Sequence, residues 1–139
     1  MTNIWIGFEA GFIATVVLSA LMLMQQARKL MPLMDMNAMM ADMMNSSRAA
    51  AWLVHFMVGT LLYGGAFVVL LAMLQTDAYL GTGVVLGAIG WLLAMIAMMP
   101  MAGKGFFGMK IGLIAPAMSL MLHMFFGALL GWAYGSLIT

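Results

Sequence analysis

The feature that most constrains this chain is the placing of its few charges. Of its 139 residues only five are Lys or Arg and four Asp or Glu. All five cations, Arg28, Lys29, Arg48, Lys104 and Lys110, fall in two short segments. They leave four long apolar stretches, 4–24, 49–74, 78–99 and 111–138, each with about the twenty residues a helix needs to cross a bilayer. A soluble domain is about 45–50 % apolar and about 25 % charged, whereas this chain is 66 % hydrophobic and 6 % charged. No soluble fold of this size buries so much apolar surface. The expected fold is an all-α membrane protein, a bundle of four transmembrane helices forming a single domain over residues 1–139.

The same charges orient the bundle. Loops rich in Lys and Arg stay in the cytoplasm, so the first and third connections are expected inside and both termini outside. Trp5, Tyr79, Trp132 and Tyr134 are then expected near the outer interface and Trp52 near the inner one. The N-terminus, MTNIWIGFEAG, lacks the basic region of a signal peptide, so the first stretch is expected to remain as a span.

Between the first two spans lies LMPLMDMNAMMADMMNSS, with Pro32 as a breaker and Asp35 as an N-cap. Met36, Met39, Met40, Met43 and Met44 share one side at helical spacing, which predicts a short amphipathic helix over about 35–45 at the membrane interface. Methionine is an adaptable apolar residue common on surfaces that bind partners, so these five are candidates for partner docking. Thioether sulfur also suits copper(I), but the segment holds no Cys or His. Further on, Pro100 is expected to close the third span, and Pro116 to kink the fourth or mark its regular start.

Glycines recur at spacings that place them on one helical face: Gly7 and Gly11 in the first span, Gly83 and Gly87 in the third, and Gly127, Gly131 and Gly135 in the fourth. Such ridges let helix backbones approach closely. His123 heads the last of them, and His55 with Gly59 forms a simpler version in the second span. His55 and His123 are 68 positions apart, as are Gly59 and Gly127 and the pairs Met31-Pro32 and Met99-Pro100. That offset suggests a pseudo-symmetric tandem of two helical hairpins, related by an axis along the membrane normal.

An ionisable residue within a span is costly and normally faces the bundle interior. His55 and His123 are thus the leading site candidates. They could ligate haem b axially, hold a quinone headgroup, bind a divalent metal, or simply bond a hydroxyl or carbonyl across the bundle. Glu9, the one acidic residue inside a span, is expected in the outer half, away from both histidines. With no cysteine, two histidines and four acids, the inventory for catalysis is thin. The small net charge of +1 gives no reason to expect nucleic acid as a partner.

The stretches HFMVGTLLYG, GWLLAMIAMMPMAGKGFFGMKIG and APAMSLMLHMFFGALLGWAYG, with the turn Met31 to Asp35, resemble a family of small four-span bacterial inner-membrane proteins known only as a domain of unknown function. The resemblance runs over nearly the whole chain; it implies a bacterial inner membrane, with the outward termini in the periplasm, and implies no activity. Three functional classes remain open. One is a non-enzymatic accessory or structural subunit of a larger membrane complex, for example a respiratory one, with other membrane subunits or further copies of itself as partners beside the lipid. The second is a haem b or quinone protein using His55 and His123, and the third a small transporter or metal carrier.

Overall fold

The computed structural model describes residues 2–29 and 35–139. Four helices are long and apolar enough to span a membrane: α1 (Ile4–Ala27), α3 (Arg48–Leu74), α4 (Tyr79–Met101) and α5 (Ile114–Ile138). At 1.5 Å per residue the shortest, of 23 residues, is about 34 Å long, beyond the roughly 30 Å of hydrocarbon it must cross. A fifth helix, α2 (Met36–Met43), lies between the first two spans. The expected Pro32 break, the turn beginning at Met31, and Met34 lie outside the described residues.

Local chemistry sets the helix ends. Asn3 caps α1, its Oδ1 accepting from the backbone N–H of Trp5 at 2.9 Å and of Ile6 at 3.4 Å. Asp35 caps α2 through Ala38 N, and Ser47 caps α3 through Ala50 N. Such caps satisfy amides that have no partner within the helix. Gln75 ends α3 in the left-handed conformation.

The spans are neighbours in the order α3, α1, α5, α4, with α3 and α4 meeting chiefly in the half nearer the termini. Both hairpins close on glycine. A Cβ added to Gly7 would lie 2.7 Å from Gly64 O, and one added to Gly11 would lie 2.5 Å from Gly59 O. Across the second hairpin Gly83 and Gly127 abut each other's backbone, Gly87 abuts His123, and Gly131 abuts Tyr79. Gly135 instead packs on the Tyr79 ring. These contacts are carbonyl against Cα, which no larger residue permits.

Each hairpin also contains one widened turn, a π-helix over Val58–Tyr63 in α3 and another over Ala94–Met98 in α4. The first carries one residue more than an α-helix would in the same rise. Gly59 and Gly127 are 68 positions apart, but the next glycines of the two ridges, Gly64 and Gly131, are 67 apart. The widened turn absorbs that difference and keeps Gly64 on the face that meets Gly7. The second explains why Pro100 does not end its helix, which runs on to Met101. A proline ring collides with the carbonyl four residues back, here Ile96, and Ile96 sits inside the widened turn. Pro116 is the third residue of α5, where its missing N–H would have had no partner in the helix.

Packing divides the bundle into two halves. Toward the termini Phe67, Leu71, Leu130 and Tyr134 are fully buried in one cluster with Ala10 and Ala14. Tyr134 lies near the end of its span, as expected, but is turned into the bundle. Its ring packs edge-on against Phe67 at 5.2 Å, and its hydroxyl accepts from Asn3 N at 2.9 Å. Trp5 and Trp132 are exposed. Toward α2 the same four spans are not filled.

A cavity between the two histidines

In the half of the bundle nearer α2 the spans enclose a cavity of about 200 Å³. Tyr63 and Phe126, ring centroids 5.1 Å apart, separate it from the solid core. The phenol of Tyr63 lies in the space that a Cβ on Gly90 would occupy. Both widened turns contribute wall residues, Val58, Gly59 and Tyr63 from one, Ala94 and Met98 from the other. His55 and His123, brought from α3 and α5, line this one cavity.

Helix α2 closes the far side. Met36, Asn37 and Met40 face the cavity, while Met39 packs against the buried Met95 and Met99 of α4. Asp35 ties the helix down: it accepts from Gln26 Nε2 of α1 at 3.1 Å and pairs with the Arg48 guanidinium at the start of α3. Of the five methionines expected to present a docking face, Met36, Met39 and Met40 turn onto the chain's own bundle. Met43 and Met44 remain exposed. Helix α2 is a wedge against the ends of α3 and α4 as well as an amphipathic helix.

A hydrogen bond assigns the tautomer of one imidazole. Ser19 Oγ lies 2.6 Å from Thr15 O and 3.1 Å from His55 Nε2, and its rotatable proton serves either acceptor, so His55 is compatible with both neutral tautomers. His123 Nδ1 lies 2.7 Å from the carbonyl of Ser119, which can only accept. His123 therefore carries its proton on Nδ1 and keeps a lone pair on Nε2. On each ring the second nitrogen, His55 Nδ1 and His123 Nε2, has no partner among the described residues.

Asn37 was not evident in the sequence as a site residue. It is 2 % exposed, and its Nδ2 is the one buried side-chain polar atom among the described residues without a partner. A buried unsatisfied amide costs on the order of 1–3 kcal/mol, so its position at the cavity wall is notable. Ser19 and Tyr63 were missed as site residues too. The spacing of Ser119 and His123, one helical turn, is the signal that could have revealed the tautomer lock.

Glu9 lies on the exposed face of α1, with Trp5, Phe12 and Val16, away from the cavity. No group of three or more His, Cys, Asp or Glu residues suited to a metal occurs among the described residues.

Fold and composition thus define a helical protein with four helices long and apolar enough to cross a membrane and a half-open cavity lined by both histidines. The chain matches, over residues 1–139, the model of a family described as a family of unknown function, DUF6789. It belongs to that family. No curated protein matches the chain, and no solved structure does.

Proposed function

We propose that this chain is a non-enzymatic, membrane-embedded binding protein that holds a small, largely apolar molecule through a hydrogen-bonding headgroup. The observation that carries this reading is the cavity itself. Two spans bring imidazoles to it, His55 and His123, each with one ring nitrogen that no described residue engages, inside otherwise apolar walls. A mainly apolar pocket with a few convergent polar groups is the usual form of a small-molecule site. The volume supports a headgroup over a porphyrin: about 200 Å³ lies below the roughly 300–1,000 Å³ that encloses drug-sized ligands. Under the positive-inside rule the cavity lies in the cytoplasmic half of a bacterial inner membrane.

The test is to reconstitute the chain in nanodiscs and extract it with organic solvent. Mass spectrometry then compares the extract with that of a variant whose cavity is filled by Val58→Phe, a partly exposed wall residue. A stoichiometric small molecule present only in the natural chain supports the reading. Identical extracts refute it.

A second reading, an accessory subunit of a larger membrane complex, is favoured by Glu9. A carboxylate on the outward face of a span is costly in lipid, and a cationic side chain from a neighbouring subunit would relieve that cost. Purification in mild detergent should retain a stoichiometric partner that Glu9→Leu releases. Equal retention by both chains counts against this reading.

A further inference from the structure

From the connection between α4 and α5 we infer that residues 102–113 form a binding site for the phosphate headgroup of an anionic phospholipid, at the membrane surface on the α2 side of the bundle. The inference goes beyond the reading of the cavity and does not depend on it. The charge balance at that end calls for anions. All five cations lie in the two connections there, facing only Asp35 and Asp42, with Glu9 and Asp77 at the opposite end. Asp35 is taken by Arg48, in the one ion pair among the described residues. Lys104 and Lys110 therefore pair with no carboxylate among them.

The loop that carries them is tightly folded. Lys110 N donates to Lys104 O at 3.0 Å, which closes the segment on itself and sets the two lysines together at its base. Gly105 stands beside them in the left-handed region at φ +76°, and a Cβ there would meet Lys110 Cγ at 3.5 Å. The stem of Lys110 thus runs along Gly105, next to Lys104, and both lysine stems start from one edge of the loop. Phe107, also left-handed, turns in against the Trp91 ring with centroids 5.8 Å apart. Trp91 Nε1 in turn donates to Pro116 O at 3.0 Å, so the loop is held against both α4 and α5.

The outward side of this loop is apolar. Met101 at the end of α4, and Phe106, Met109 and Leu113 in the loop, are each more than half exposed. Large apolar side chains beside unpaired ammonium groups suit the boundary between acyl chains and phosphates, where aromatic rings and lysines with buried stems concentrate. A water-soluble anion would satisfy the two lysines and leave the apolar side wet. A phospholipid satisfies both, its phosphate on the ammonium groups and its acyl chains on Phe106 and Leu113. Lysine binds phosphate as a point charge, so two of them on one edge favour a headgroup with net negative charge over a zwitterion, whose own cation they repel.

The test is native mass spectrometry of the full chain, released from detergent micelles that carry equal amounts of phosphatidylglycerol and phosphatidylcholine with the same acyl chains. A lysine close to an anionic lipid surface contributes about fivefold in affinity. The natural chain should therefore retain phosphatidylglycerol at least about fivefold over phosphatidylcholine. The double variant Lys104→Gln, Lys110→Gln should bring the two lipids near parity. The double variant Arg28→Gln, Lys29→Gln removes as much charge from the same end and should keep most of the preference. Phe106→Ser should lower the retention of phosphatidylglycerol several-fold with both lysines in place. Neither Lys104 nor Lys110 pairs with a carboxylate, so their double variant should fold, and an unchanged midpoint in SDS titration checks that it does. Equal losses in the two double variants would show attraction to the whole charged face and overturn the inference. Equal retention of the two lipids by the natural chain overturns it as well. Displacement of phosphatidylglycerol by an excess of soluble glycerol phosphate would show that a free phosphate, and not a lipid, is what the loop takes, and would also overturn it.

Discussion

The closest backbone approach in the structure gives a sharp test of its packing. Gly81 and Gly83 lie two residues apart in α4, both in regular helix. A Cβ on Gly81 would meet nothing within 4 Å, whereas one on Gly83 would overlap the carbonyl oxygen of Gly127 and lie 3.0 Å from Gly131 N. Carbon atoms in ordinary contact are about 3.5–4.0 Å apart, so Gly83→Ala forces α4 and α5 apart by about 1 Å. The obstacles are backbone atoms of a rigid helix and cannot turn aside. Overpacking costs typically about 1–3 kcal/mol, and the upper part of that range applies where nothing flexible yields. A loss of about 2–3 kcal/mol lowers the folded-to-unfolded ratio roughly 30- to 150-fold. Gly81→Ala, by contrast, should be neutral or should stabilise by about 0.5–1 kcal/mol through reduced backbone entropy in the unfolded chain. Both variants are measured by SDS titration in mixed micelles, followed by far-ultraviolet circular dichroism. Equal midpoints for the two would refute the glycine-to-glycine contact.

Further expectations concern the ends of the cavity and of the bundle. Asp35→Ala removes a helix cap worth about 1 kcal/mol and the half-exposed pair with Arg48, worth at most about 1 kcal/mol after screening by solvent. Helix α2 should loosen, so that a cysteine introduced by Met40→Cys is labelled several-fold faster in the Asp35→Ala background. Unchanged labelling would show that Met39 alone holds the helix. Tyr134→Phe deletes the acceptor for Asn3 N, at a cost of about 1 kcal/mol, and hydrogen exchange in the first turn of α1 should accelerate while the centre of α1 does not change. Phe67→Ala empties a fully buried site and should cost about 3–5 kcal/mol. Leu53→Ala, on the exposed face of α3, should cost far less in the same micelle titration.

Much of this architecture is legible in the residues because the bilayer leaves so few alternatives. Four apolar stretches separated by charge become four helices, since no other open structure satisfies its own backbone in lipid. The glycine ridges at Gly83, Gly87, Gly127 and Gly131 are readable for the same reason, their spacing being that of a regular helix. Gly64 was missed as a contact residue because it stands five positions after Gly59, off the period of an α-helix. Only the widened turn returns it to the shared face, and that turn has no plain signature in VGTLLY. Pro100 misled in a related way: a breaker in a regular helix is tolerated beside a π-turn. Tyr134 was expected near a span's end, and what the residues did not reveal is that it turns inward. Its burial follows from a partner 131 positions away, the Asn3 amide, which periodicity cannot reveal.

The histidines were the readable part of the site. Their 68-residue offset placed them at matching depth, and the cavity they share lies there. What completes the site was not readable, because it comes from a connection and not from a span. Helix α2 lies in the loop of the first hairpin, between α1 and α3. Helix α2 covers the side where α3 and α4 diverge, and with it Asn37 reaches the cavity. The methionines that suggested an outward docking face serve mostly to seat this helix, Met39 on Met95 and Met99. Amphipathic spacing gives the buried side of a helix but not what that side is buried against.

The most direct test of the account is a nitrogen-15 spectrum of the two histidines, the only ones in the chain. The chain is labelled at both ring nitrogens and reconstituted in bilayers. The account predicts that His123 is neutral and protonated at Nδ1, its proton held by the Ser119 carbonyl at 2.7 Å. A His123 ring protonated at Nε2 alone, or at both nitrogens, would contradict it.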